Sequence, residues 1–444
     1  MNSVVSIKNY VSQLAKKPAI NSDFVSRQLK QQILKKLRHI EFGQLTLTDG
    51  DETHFFIGKQ HRNNNVVDQP ANKDEIIKAD LEICDPQFYQ FIAFGGSLGA
   101  GEAYINGFWR SKNLTRLIQL FALNQSVIDN VDGGLAHLSA PLKRLFHWLN
   151  KNTLSGSKKN IVAHYDLGND FFKLFLDPSM MYSSGIFTHP DETMAQASHN
   201  KLQRIAQQLN LSAADHIVEI GTGWGGFAVF AAKNYGCKVT TTTISEEQYQ
   251  YTRALIQSHG LTDKITLLKQ DYRELTGQFD KLVSIEMIEA VGHHYFATFF
   301  EKCNQLLKPD GQMLIQAITI LDQKFDRSKD TIDYIKRYVF PGSCIPSVQV
   351  MNQCIQSVTD MRVHQLFDIG LSYALTLQKW REQFFENIAQ VKALGFDDSF
   401  IRLWEFYLCY CEGGFRERVI SNVQLHAVKP LARPPLESGV KSNL

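Results

Sequence analysis

The stretch His216-Ile-Val-Glu-Ile-Gly-Thr-Gly-Trp-Gly-Gly226 decides how the rest of the chain is read. Ile217, Val218 and Ile220 form a short apolar run of strand length. Gly221, Gly223 and Gly225 follow it, in a turn where the backbone can fold tightly and approach a ligand with no Cβ in the way. The next segment, Phe227-Ala-Val-Phe-Ala-Ala-Lys-Asn-Tyr235, repeats its apolar residues at helical spacing. Its first N–H groups would point at the turn, so a nucleotide-like ligand is expected there.

Gly221, Gly223 and Gly226 also satisfy G-x-G-x-x-G, a pattern shared with dinucleotide binders. A dinucleotide site calls for an acid at the end of the following strand, to hold the ribose. That strand, Cys237-Lys-Val-Thr-Thr-Thr-Thr243, ends in threonine. Glu219 instead precedes the glycines, and Asp271-Tyr272 follows a third strand at Ile265-Thr-Leu-Leu268. This arrangement suits the Rossmann-like methyltransferases that bind S-adenosylmethionine.

The chain has 444 residues, enough for two or three domains. Hydrophobic content of 44% and charged content of 21% are ordinary for a soluble protein. No run approaches the roughly 20 apolar residues that span a bilayer. Met1-Asn-Ser-Val-Val-Ser-Ile-Lys8 lacks the apolar core of a signal peptide. The 7 cysteines are scattered, and Cys409-x-Cys411 has no second pair of Cys or His nearby, so no metal site is expected. These features point to a reduced, cytoplasmic enzyme. The net charge of +2 and the lack of a recognition motif disfavour nucleic acid as a partner.

Basic residues are nevertheless unevenly placed. Ser26–Ile40 puts Leu29, Ile33, Leu37 and Ile40 on one helical face, with Lys30, Lys35, Lys36 and Arg38 around it. Pro141–Lys151 is similar, and Lys158-Lys159 follows. Such helices either lie on an anionic membrane surface, where each basic residue contributes about 1 kcal/mol, or pack on their own domain with a solvated basic face.

Composition separates an N-terminal domain, residues 1–149, from a polar linker at 150–160 and a domain at 161–444. In the first, Gly43–Gly50 and His54–Ile57 read as strands around an Asp-Gly turn, and the glycine-rich Phe94–Trp109 as a turn-rich packing element. In the last, strand and helix alternate as a doubly wound α/β sheet requires. Ser245-Glu-Glu-Gln248 reads as a capping box, Lys281–Ile285 as a fourth strand and Gln312–Ile318 as a fifth. The long stretch between 320 and 400 exceeds what that core needs and is expected to form a lid.

Six ordered segments then resemble one family across the second domain. They are His164–Phe172, Met181-Tyr-Ser-Ser-Gly-Ile-Phe187, Val218–Ala228, Ile285-Glu-Met-Ile-Glu-Ala-Val-Gly292, Tyr338-Val-Phe-Pro-Gly-Ser-Cys-Ile-Pro-Ser347 and Cys411-Glu-Gly-Gly-Phe415. All are similar to the cyclopropane-fatty-acid synthases and their mycolic acid relatives, and Gly99–Tyr104 looks like the N-terminal domain of the longer bacterial members. The resemblance implies a Rossmann-like class I methyltransferase domain with a lid insertion, preceded by a smaller α+β domain. The activity it implies is methyl transfer from S-adenosylmethionine to the cis double bond of an unsaturated phospholipid acyl chain, then proton loss to a bound bicarbonate and ring closure. An uncyclised methyl- or methylene-branched product is the alternative, and an inactive lipid-surface binding protein a third. The enzyme would sit peripherally on the inner face of the membrane, and the N-terminal domain would bind lipid, form a homodimer, or both.

Carried over residue by residue, the resemblance implies that Glu219, Gly221 and Gly223 line the methionine part of the cofactor, and that Tyr182 closes over it. Thr243, Ile244 and Gln248 would meet ribose and adenine, with Tyr272 beside the adenine ring. Glu289 would anchor the bicarbonate, Tyr373 would hydrogen-bond it from the lid, and Ile318 would offer its backbone. Tyr165 would serve the substrate channel or only pack. Two positions depart from the family pattern. Ser184 stands where many members carry cysteine, and Gln316 where many carry histidine. Both still offer hydrogen-bond donors, and Gln316 can donate to an anion without bearing charge.

Overall fold

A computed structural model describes residues 23–58, 76–132 and 167–434. Contacts divide the chain into two compact units. One comprises Met1–Leu149, Thr331–Val339 and Trp380–Val419, and the other Asn150–Asp330, Phe340–Lys379 and Ile420–Leu444.

In the first unit the Asp-Gly turn forms as read, joining β1 (Gln44–Asp49) and β2 (Glu52–Ile57) in an antiparallel pair. β3 (Lys78–Ile83) runs parallel to β1, and the short β4 (Trp109–Arg110) closes the sheet in the order β2-β1-β3-β4. Glycine-rich Phe94–Trp109 is not the turn-rich element expected of it. A helix, Gln87–Ile105, runs through most of it and kinks at Gly96, because its apolar side chains bury on several sides and tertiary packing overrides the glycines' low helix propensity. Helix Asp398–Arg416 packs in the same unit and places the carboxylate of Glu412 in the interior. There Glu412 takes hydrogen bonds from Thr115 (3.0 Å), Arg381 (3.1 Å) and Arg416 (2.9 Å). Thus Cys411-Glu-Gly-Gly belongs to an internal ion cluster of this unit.

The basic helix forms over Asp23–Leu37, but its apolar face does not face a membrane. Leu29, Ile33, Leu37 and Ile40 are all buried, and Lys30 is paired with Asp49 (2.6 Å) and Glu52 (3.0 Å). Packing on its own unit won, because burying four aliphatic side chains is worth about 1.5–3 kcal/mol each. Pro141–Lys151, Lys158-Lys159, the linker and Tyr165 lie outside the described residues.

The second unit holds a seven-stranded sheet in the order β10-β11-β9-β8-β5-β6-β7. Its strands are β5 (His216–Ile220), β6 (Lys238–Thr242), β7 (Ile265–Leu268), β8 (Phe279–Ile285), β9 (Leu307–Ile320), β10 (Arg362–Asp368) and β11 (Ile420–Val428). The first five run parallel, as the Rossmann-like reading requires; β11 is antiparallel to both β9 and β10. Alternate residues along the strands feed two cores. Val218, Leu282, Met313 and Ile315 join one; Ile217, Val239, Val283 and Leu314 join the other. Strand order reverses between β5 and β8, and ligands of open α/β sheets bind beyond the carboxyl ends of the strands at such a point. Helix Met194–Leu209 opens with a full capping box, in which Thr193 and Gln196 satisfy each other's backbone N–H. The box read at Ser245 is only half made. Ser245 Oγ accepts from the Gln248 N–H (3.3 Å), but the Gln248 side chain turns to the Thr243 hydroxyl (2.8 Å) instead.

Candidate functional site

Beyond β5 the chain makes the expected turn and enters helix Gly226–Tyr235. The N–H groups of Gly221 and Thr222 bond to the Thr242 carbonyl (3.2 and 2.9 Å), which ties the turn to the neighbouring strand β6. Gly221 has φ +96°, and a Cβ there would lie 3.1 Å from Met287 Cγ, so both conformation and space require glycine. A Cβ on Gly223 (φ +53°) would meet nothing within 4 Å, which leaves open space beside the turn. Two buried hydroxyls near this end of the sheet, Thr222 Oγ1 and Tyr272 Oη, have no hydrogen-bond partner among the described residues. A glycine cradle with orphaned donors fits a polar nucleoside ligand such as S-adenosylmethionine.

The other residues assigned to the cofactor gather at the same strand ends. Thr243, half-buried Ile244 and Gln248 follow β6, and Tyr272 follows β7, capped by Asp271 and flanked by Arg273. Tyr182 packs edge-on against Phe172 (5.2 Å between centroids), and Phe172 lies 5.0 Å from Trp224 of the glycine turn, with Phe340 6.4 Å from Tyr182. These rings give the site an aromatic wall. Glu219 is turned into the sheet, where its Oε2 accepts the Thr241 hydroxyl (2.6 Å), and burial pushes its carboxyl up to about 8.

The residues assigned to bicarbonate also come together, but around a different anion. Glu286, which follows β8, is the centre. Its Oε1 accepts the Ser184 N–H (2.9 Å), Gln316 Nε2 (2.8 Å) and Asn422 Nδ2 (2.5 Å), and its Oε2 accepts the Tyr373 hydroxyl (2.8 Å). Gln316 is held in that orientation because its Oε1 accepts from Gln424 (3.0 Å), its register partner on β11. The Ser184 hydroxyl donates to the Gly185 carbonyl (2.8 Å) and does not reach into the cluster. Ile318 donates its N–H to Glu289 Oε1. The donors expected around bicarbonate are therefore engaged by two side-chain carboxyls, and the residues present do not fit a separate bicarbonate. The place expected for bicarbonate holds the carboxylate of Glu286 and the carboxyl of Glu289.

Glu289 is buried in a short 3₁₀ turn, Ile288–Ala290, and its Oε2 has no hydrogen-bond partner. Burial first, and the charge of Glu286 second, push its carboxyl up to about 8, so it holds its proton at neutral pH. Lys201 is fully buried, with Nζ 2.7 Å from Ser183 Oγ; burial draws it down to about 8, against the opposing pull of Glu286 and Asp177. The cluster thus combines one neutral acid, one carboxylate with four donors, and a lysine whose field reaches that carboxylate.

Sequence reasoning missed Glu286, Asn422 and Lys201. The signal for Glu286 was present, as a second acid three residues before Glu289 at a strand end. Asn422 had none, because its place follows from the antiparallel register that sets it opposite Ile318. Among the described residues no group of His, Cys, Asp and Glu could hold a metal ion, and no helix is long and apolar enough to cross a membrane.

Residues 153–425 match the family model described as mycolic acid cyclopropane synthetase. A tuberculostearic acid methyltransferase of Mycobacterium tuberculosis is 36% identical over 330 residues, 72% of this chain and 76% of that one. The cyclopropane-fatty-acyl-phospholipid synthase of Escherichia coli K12 is 34% identical over 344 residues, 77% of this chain and 86% of that one. Among solved structures, a mycolic acid cyclopropane synthase complexed with SAH and CTAB superposes with a TM-score of 0.58 at 29% identity, covering 61% of this chain and 98% of that one.

Proposed function

The chain belongs to the mycolic acid cyclopropane synthetase family, and from that premise we propose that it methylates the cis double bond of an unsaturated phospholipid acyl chain and closes a cyclopropane ring. It is an S-adenosylmethionine-dependent methyltransferase, and that cofactor, when bound, supplies an electrophilic methyl group on a sulfonium. The observation that carries the proposal is the carboxylate of Glu286 beside the neutral, buried Glu289, next to the glycine turn where Met287 approaches Gly221.

An alkene is a weak nucleophile, so the protein must hold it in near-attack geometry, where orientation can supply roughly 7–11 kcal/mol. The rings of Phe172, Tyr182, Trp224 and Phe340 suit that task. They exclude water, and their faces attract positive charge. The electron-deficient chain left by methyl transfer must then give up a proton, which calls for a fixed base in an otherwise dry site. Reaching the acyl chain requires contact with the bilayer, and that peripheral contact, on the cytoplasmic face, is part of the proposal. The buried apolar face of Ser26–Ile40 is not its anchor.

The test is to incubate the purified enzyme and S-adenosylmethionine with vesicles of unsaturated phospholipid, then to separate the fatty acids chromatographically with mass detection. A chain gaining one CH₂ as a ring is expected; no mass gain overturns the proposal. A second reading, a methyl- or methylene-branched product, is favoured by the similarity to the tuberculostearic acid methyltransferase and by Ser184 and Gln316. A hydride shift before proton loss leads from the same cation to an exocyclic double bond. The ring and that alkene have equal mass, so retention time separates them.

A further inference from the structure

We propose that the carboxylate of Glu286 is a built-in base that takes the place of a bicarbonate ion, so that the enzyme turns over without bicarbonate. The proposal rests on the reading that the chain methylates an alkene, and it holds for the ring and the methylene product alike, since both lose a proton from the transferred methyl group.

Four observations carry it. First, donors from four separate segments converge on the acid at the end of β8: the loop at Ser184, β9 at Gln316, β11 at Asn422 and the helix at Tyr373. Such convergence is what an anion site is made of, and here the anion is covalently part of the chain. Second, the load is unequal. Among the described residues Oε1 accepts three donors and Oε2 only the Tyr373 hydroxyl, so Oε2 keeps a lone pair that can take a proton. Third, Glu286 has φ +50°, a conformation that a residue with a side chain adopts at a cost of order 1–3 kcal/mol, and it keeps that conformation under the hold of its four donors. Fourth, the four donors are all engaged by Glu286, so a second anion at this place would meet its charge with the buried Glu289 carboxyl as the one donor left among the described residues.

The step balances. In the methylated chain the new carbon–carbon bond has formed and the neighbouring carbon carries the positive charge. One C–H bond of the methyl group breaks, its proton goes to Glu286 Oε2, and its electron pair makes the third side of the ring. After a hydride shift the same pair makes the exocyclic double bond. The proton on Glu286 then passes to solvent as the product leaves.

The experiment compares the wild type, Glu286→Gly and Glu286→Gln in buffer scrubbed of carbon dioxide, with and without added bicarbonate, on vesicles of dioleoyl phosphatidylglycerol. Release of S-adenosylhomocysteine is the readout. The wild type should turn over at the same rate in both buffers. Glu286→Gly opens the anion place and should lose about 10²–10⁴-fold, then recover part of it with bicarbonate; Glu286→Gln fills the space without a base and should not recover. A wild type that needs bicarbonate, or a Glu286→Gly variant that keeps wild-type turnover without it, overturns the proposal. A second readout needs no turnover: the line width of isotopically labelled bicarbonate in NMR should broaden with Glu286→Gly and not with the wild type. Broadening by the wild type also overturns it. Calorimetry with S-adenosylhomocysteine shows that each variant is folded. Should the wild type give no lipid product in either buffer, the functional reading fails, while the bicarbonate measurement still decides what occupies the anion place.

Discussion

Two regions at the same edge of one sheet are built by opposite means. At the ends of β5 and β6 the cofactor cradle is local and made of backbone. One strand, one glycine turn and one helix supply it within some twenty consecutive residues, 216–235, tied to the Thr242 carbonyl by two backbone hydrogen bonds. At the ends of β8, β9 and β11 the acid cluster is distant in sequence and made of side chains. Ser184, Glu286, Gln316, Tyr373 and Asn422 meet there only because the chain folds. The first arrangement can bind the same ligand in many enzymes, since backbone is common to all sequences. The second changes with each side chain, and so the reaction's outcome is decided there.

The two carboxyls of that cluster should separate most clearly. Glu286→Gln removes the proposed base and should lower turnover by about 10²–10⁴-fold. Glu289→Gln replaces an acid already neutral with a neutral amide of the same shape, and should cost less than about tenfold, well below the general-base range. Equal losses in steady-state turnover would show that the two acids act as one unit. Tyr373→Phe removes the one donor on Glu286 Oε2 among the described residues. A hydrogen bond to a charged group is worth about 1.5–3 kcal/mol, so turnover should fall roughly 10- to 150-fold with cofactor affinity unchanged in calorimetry.

The cradle should show the reverse split. Gly221→Val forces a branched side chain into φ +96° against Met287, at a cost of order 1–3 kcal/mol. S-adenosylhomocysteine should bind roughly 5- to 150-fold more weakly, with more of the turnover recovered at saturating cofactor than in Tyr373→Phe. An unchanged affinity would separate the glycine turn from cofactor binding.

Acidity distinguishes the regions less, since each holds one buried acid. Glu219 and Glu289 are both raised from 4.5 to about 8. Between those values the folded state keeps a proton that the unfolded chain has lost on each. The stability these two groups contribute is therefore fully present below about 4.5 and is lost as pH rises to about 8, by about 1.4 kcal/mol per pH unit for each group. Glu219→Gln removes one of the two, so its Tm should fall less steeply than the wild type's over that window; parallel curves would mean that Glu219 is ionised in the fold. The smallest effect lies outside both regions. Thr193→Ala deletes a helix cap and should cost about 1 kcal/mol in denaturant unfolding, with turnover unaffected.

How much could be read beforehand follows the same division. Four of the five parallel strands, β5, β7, β8 and β9, stood out as largely apolar runs because both faces of such a sheet are buried. β10 and β11 did not stand out: β10 is exposed along most of its length, and β11 mixes Asn422, Gln424 and His426 with its apolar residues. The helix at Gln87–Ile105 was concealed by its glycines, and the apolar face of Ser26–Ile40 left open whether membrane or protein would cover it. Glu289, Gln316 and Tyr373 could be named from a resemblance, but their partners could not.

By itself, then, the sequence determined the Rossmann-like unit and the glycine cradle, because both are written in spacing along the chain: period-2 and period-3.6 apolar patterns, and a turn that requires glycine. The family was legible only through the resemblance of six ordered segments. Only the tertiary structure decided which anion sits at the anion place. That depended on an antiparallel register bringing Asn422 opposite Ile318, and on a left-handed φ that aims Glu286 at four donors drawn from four other segments.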